Sequence, residues 1–103
     1  NFDLAINRIF KEMKIIREDW ENENTAKFVC CLTLFLPNGQ NYLGKGVVNG
    51  RISRKKRGKN GFGYDPIFIP SGYEKTYGEM ESEYKMSIDH RYKAYLQIKK
   101  FFD

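Results

Sequence analysis

A chain of 103 residues, 41% hydrophobic and 30% charged, is at most one domain with a modest core. Its formal net charge of +5 is uneven: Arg51, Arg54, Lys55, Lys56, Arg57 and Lys59 crowd one segment, while Glu74 to Glu83 is acidic. There is no apolar run of about eighteen residues and no charged-then-apolar leader, so a cytoplasmic protein with no membrane span is expected. The adjacent Cys30 and Cys31 point to opposite faces of a strand, so both are expected to be reduced packing residues. No metal-ligand spacing surrounds them, and His90 adds none.

Phe2, Ala5, Ile6, Ile9, Phe10 and Met13 recur at helical spacing and predict an amphipathic helix over 3–14. Residues 14–24 are polar and read as a loop. Phe28 to Leu36 is a nearly unbroken apolar run ending at Pro37-Asn38-Gly39, which predicts a strand covered on both faces, hence central in its sheet. Gln40 to Ile52 reads as its hairpin partner. Gly44, Gly46 and Gly50 strip one face of that strand, either for a ligand or, the favoured reading, for a helix packed on a curved strand. Ile67 to Pro70 forms a short strand before a Ser71-Gly72 turn. Glu81 to Met86 reads as a helical turn, and a last helix runs from about Asp89 to Phe101. Ser87 or Asp89 would cap it. Its buried stripe would be Ala94, Tyr95, Ile98, Phe101 and Phe102, with Lys93, Gln97 and Lys100 in water. The order α-β-β-β-α gives a mixed α/β layer structure.

The stretch Gly61-Phe62-Gly63-Tyr64-Asp65-Pro66-Ile67-Phe68, followed by Lys85 and His90-Arg91, holds the inventory of a nucleotide site. It offers aromatic surface for a base, cations for phosphate, and an acid for a hydroxyl or metal. Dense glycines from Gly58 to Gly63 let backbone N–H groups converge on an anion, or simply form a surface loop. Phe62 and Tyr64 would share a face of an extended backbone and stack a purine, unless they are core residues. Pro66 would hold Asp65 extended and aim its carboxylate, or Asp65 would form an Asx turn. Lys85 suits phosphate as a point charge and Arg91 suits bidentate recognition, unless each is merely solvated or salt-bridged. The His90 ring can donate to a carbonyl oxygen.

These motifs resemble those of the inosine triphosphate pyrophosphatase family. The likeness extends to Lys27-Phe28-Val29-Cys30-Cys31-Leu32, to Gly44 through Ile52, to Thr76-Tyr77-Gly78-Glu79-Met80, and to His90 through Ala94. It implies a two-lobed fold with a curved mixed β-sheet flanked by helices, of which residues 1–103 would be the C-terminal half of one domain. It implies hydrolysis of inosine, deoxyinosine and xanthosine triphosphates to monophosphate and pyrophosphate, with magnesium and a homodimer. By resemblance, Phe62, Gly63, Tyr64 and Asp65 floor the base and ribose, and Lys85, His90 and Arg91 bind the base edge.

The chain departs from the family in two places. Asp89 stands where the family usually has serine; it would cap the helix or accept from the base's ring N–H. No phosphate-loop or Asp-Asp-Ser-Gly motif is found, so the catalytic and magnesium-binding residues are expected outside this chain. The 103 residues alone are then expected to be inactive, supplying base recognition only. The expected partner is a purine nucleoside triphosphate, neither membrane nor nucleic acid. The alternative is a small basic nucleic-acid-binding module built on Arg51–Lys59, Phe62 and Tyr64.

Overall fold

The computed structural model describes residues 2–22 and 24–102. Helix α1 (Phe2–Ile16) leads through a 3-10 turn (Trp20–Asn22) to strands β1 (Thr25–Phe35) and β2 (Asn41–Ile52). A second 3-10 turn (Asp65–Ile67), strand β3 (Phe68–Pro70) and a third turn (Tyr77–Glu79) follow, then α2 (Ser82–Ile88) and α3 (His90–Lys99). This is the expected mixed α/β class, with a three-stranded sheet in the order β1-β2-β3. Among the described residues no helix is long and apolar enough to cross a membrane. Residues up to Ala26 with Asn49–Ser82 form one compact unit; Lys27–Val48 with residues from Glu83 onward form the second.

In the first unit, α1 turns Ile6 into the core. Its Phe10 stacks on buried Trp20, with ring centroids 5.6 Å apart and planes 24° off parallel. The segment expected to be a loop thus contains the last turn of α1 and a 3-10 turn that buries an aromatic ring. One large side chain in a polar stretch leaves no periodicity to read. The end of β2 pairs antiparallel with β3 in the register Gly50 to Pro70, Arg51 to Ile69 and Ile52 to Phe68. Ile67, Phe68, Ile69, Tyr77 and Met80 fill the interior around this pair. The Phe68 and Tyr77 rings lie 5.3 Å apart.

In the second unit, β1 turns into β2 through Leu36–Gln40. Leu36 N–H donates to the Gln40 carbonyl at 2.8 Å, and the Asn38 side chain accepts from Gln40 N–H at 3.0 Å. Gly39 takes φ +89°, the left-handed conformation that such a turn needs. Strand β2 lies in the middle of the sheet and β1 at its end, which corrects the expectation of a central β1. Val29 and Phe35 are 47% and 71% exposed, and Cys31 is exposed rather than packed. An apolar run reports what a strand tolerates on both faces, not that these residues supply the cover.

Helix α3 packs on the stripped face of β2. A Cβ built on Gly44 would strike the Ala94 carbonyl oxygen, and one on Gly46 would strike the His90 carbonyl oxygen. Those glycines therefore serve helix packing, as the favoured reading held. Close approach also narrows the helix's buried stripe. Ala94 is fully buried and Ile98 half-buried, while Tyr95, Phe101 and Phe102 are about half exposed. Backbones this near admit only a small residue between them, so the large rings splay outward. Phe101 and Phe102 instead meet Tyr42, with centroid distances of 4.7 and 5.2 Å.

Candidate functional site

Gly61 and Gly63 take φ +71° and +64°. Residues 61–64 form bends and a turn rather than an extended segment, so Phe62 and Tyr64 do not share a strand face as the spacing predicts. Left-handed glycines reverse the chain between them, which alternation cannot foresee. Phe62 is 56% exposed. Tyr64 meets Phe2 edge-on at 5.6 Å. Asp65 opens the 3-10 turn instead of extending, because Pro66 is tolerated in a first helical turn. Its carboxylate is buried and accepts the Phe62 N–H at 3.1 Å. A Cβ on Gly61 would collide with Oδ2 of this carboxylate. Asp65 thus shapes the loop that carries the Phe62 ring by bonding back to an N–H three residues earlier, which is neither the extended carboxylate nor the forward bond of an Asx turn.

Four residues that the sequence reading left out of the site clamp this loop from behind. Asn60 N–H donates to the Gly78 carbonyl at 2.9 Å, and its side-chain amide donates to the Met80 carbonyl at 2.9 Å. Thr76 Oγ1 donates to the Arg57 carbonyl at 2.6 Å. Arg57 Nε donates to Glu79 Oε1 at 2.9 Å, and its Nη2 donates to the Glu74 carbonyl. Glu79 Oε1 also accepts Thr76 N–H at 2.9 Å, closing a capping box with Thr76. The Thr76 backbone bond, then the Arg57 side chain, hold the Glu79 pKa below its usual value. The signals were the family resemblance, which takes in Thr76 through Met80, and the spacing of Thr76 and Glu79, three residues apart ahead of a helical segment.

The second unit places the other candidates around the start of α3. Asp89 caps that helix, accepting Tyr92 N–H on Oδ1 at 2.8 Å. Its Oδ2 lies 3.2 Å from Lys85 Nζ on α2, and both side chains are buried. Of the roles read for Asp89, the structure bears out the cap and adds the ion pair. His90 is half-buried, with its ring edge-on to Phe28 at 5.1 Å. Arg91 is exposed in the first turn.

The structure thus brings Phe62, Gly63, Tyr64 and Asp65 together in the first unit, and Lys85, His90 and Arg91 together in the second. Part of the basic segment is engaged: Lys56 Nζ contacts Asp3 at 2.6 Å and Arg54 contacts Glu21 at 3.3 Å. Among the described residues no group of three or more His, Cys, Asp or Glu could hold a metal ion.

The sequence profile of the Ham1 family matches residues 1–101. The chain belongs to the Ham1 family. Relatives bear out the resemblance to nucleotide pyrophosphatases. A dITP/XTP pyrophosphatase of Pyrococcus horikoshii is 54% identical over 69 residues, 67% of this chain and 36% of that protein. One from Oceanobacillus iheyensis is 36% identical over 101 residues, 98% of this chain and 50% of its own length. A HAM1 protein structure from Coxiella burnetii superposes with a TM-score of 0.76 at 34% identity, covering 92% of this chain and 49% of that one. The Staphylococcus aureus Ham1 structure gives a TM-score of 0.72 at 34% identity, covering 87% of this chain and 48% of that one. The chain spans about half the length of the curated relatives it matches.

Proposed function

We propose that the protein carrying this chain is a nucleoside triphosphate pyrophosphatase acting on inosine, deoxyinosine and xanthosine triphosphates, and that these residues serve base recognition. The observation that carries the reading is the match along nearly the whole chain to proteins named dITP/XTP pyrophosphatase. In the first unit, the exposed Phe62 ring offers a stacking surface, and Asp65 holds its loop. Stacking on an aromatic ring contributes about 1–3 kcal/mol per base and tolerates any purine. In the second unit, Lys85, His90 and Arg91 supply donors.

Donors select by chemistry. Hypoxanthine and xanthine carry a carbonyl at position 6, where adenine carries an amino group. A donor pairs with the carbonyl and is left unsatisfied against the amino group, at a cost of about 1–3 kcal/mol each. Magnesium, proposed as cofactor, would take its ligands outside these residues. A cytoplasmic homodimer is proposed for the whole protein.

The test is pyrophosphate release by the full-length protein from deoxyinosine, xanthosine and adenosine triphosphates, for wild type and Arg91→Ala. Wild type should prefer the first two. Arg91→Ala should lower their kcat/KM by about tenfold or more, with a much smaller effect on the adenosine nucleotide. Equal losses on all three would give Arg91 a phosphate or folding role. No hydrolysis by wild type of either favoured nucleotide would refute the function.

A further inference from the structure

We propose that Asp89 sets the base preference by neutralising Lys85, so that the protein favours hypoxanthine over xanthine nucleotides. The inference rests on the function proposed above and goes to a distinction that it leaves open. The two side chains are only 7% and 4% exposed, and Lys85 Nζ lies 3.2 Å from Asp89 Oδ2. Water screens so buried a pair weakly. An ammonium and a carboxylate at this distance act on a nearby group as a dipole, whose field falls away faster than that of a lone cation.

The carboxylate is also fixed in place. Oδ1 accepts the Tyr92 N–H at 2.8 Å while Oδ2 faces Lys85, so the cap of α3 holds the anion against the ammonium. Swinging the carboxylate away would cost the cap and the ion pair together.

The two bases differ in charge. Hypoxanthine is neutral at physiological pH. Xanthine has a second carbonyl, which makes its ring more acidic, and its nucleosides are largely anionic at neutral pH. An uncompensated buried ammonium would favour the anion. A compensated one gives the anion little, and the Asp89 carboxylate repels it. Arg91 is solvent-exposed, so its charge is screened and separates the two bases less.

The experiment compares kcat/KM for inosine and xanthosine triphosphates at neutral pH in the full-length protein. The proteins are wild type, Asp89→Asn and Asp89→Ser. Both replacements can still cap a helix but carry no charge. Wild type should favour the inosine nucleotide, and each variant should move the ratio toward the xanthosine nucleotide by about tenfold. A purely structural role would lower both activities in proportion, and an unchanged ratio overturns the proposal.

If the variants fold poorly, calorimetric binding of inosine and xanthosine monophosphates to wild type decides. Equal or tighter xanthosine binding overturns the proposal. Hydrolysis of both nucleotides with an unmoved ratio refutes only the Asp89 role. Hydrolysis of neither refutes that role and the function together.

Discussion

The Glu79 carboxylate shows how one side chain outside the Gly61–Phe68 stretch helps to hold it. It gathers the Thr76 N–H and the Arg57 guanidinium, and Arg57 begins the segment that leads into Gly61–Asp65. Both donors favour the ionised form, so the folded pKa lies below the ordinary value of 4.5. For a depressed carboxylate, the stabilisation is complete above the unfolded value and is lost as pH falls through the folded value. Glu79→Gln should therefore lower the urea midpoint at neutral pH, and the two proteins should converge in acid. A gap that persists below the folded pKa would show that charge is not what Glu79 contributes. The stretch Gly61–Phe68 was legible through its resemblance to a known family, since each of its residues alone also reads as core or surface loop. The Arg57–Glu79 bond was not, because its partners lie 22 positions apart and each reads alone as a surface charge.

At the scale of elements, β2 and α3 were legible as types, and their contact was legible only in outline. Gly44 and Gly46 marked a face stripped for close packing, and Asp89 marked a helix start, whereas Gly50, read with them, lies against the Ile69 carbonyl of β3 instead. The narrowness of the contact could not be read, since an apolar stripe says which residues can be buried, not how near the backbones come. The closeness itself predicts a result. At Gly46 an added methyl would meet the His90 carbonyl oxygen, the Ala94 nitrogen at 2.5 Å and the Lys93 Cβ at 2.9 Å. Most of these are backbone atoms, which cannot turn aside. Gly46→Ala should destabilise the fold by about 1–3 kcal/mol, the usual cost of overpacking. In the full-length protein it should also impair base selectivity, because the displaced strip carries His90. A urea melt and the inosine-to-adenosine activity ratio check both, and an unshifted midpoint would mean that α3 rides freely on β2.

On the scale of the whole molecule, the basic segment and the apolar strand both carry consequences. Lys56 and Arg54 each face an acid, so this charge run is less open to a polyanion than composition implies. Strand β1 behaves in the opposite way. Its apolar character was plain in the sequence, but its cover was not, and Val29, Leu32, Leu34 and Phe35 are 36–71% exposed. The strand ends the sheet order among the described residues. An exposed apolar end strand combines unburied surface with backbone groups able to pair with another chain. The 103-residue span, purified alone, should therefore self-associate. Sedimentation should show its average mass rising with concentration, and Leu34→Lys with Phe35→Lys should reduce the rise. Charged residues on an end strand oppose pairing without touching the core. A single monomeric species at every concentration would contradict this, and would mean that β1 tolerates water on the surface it presents.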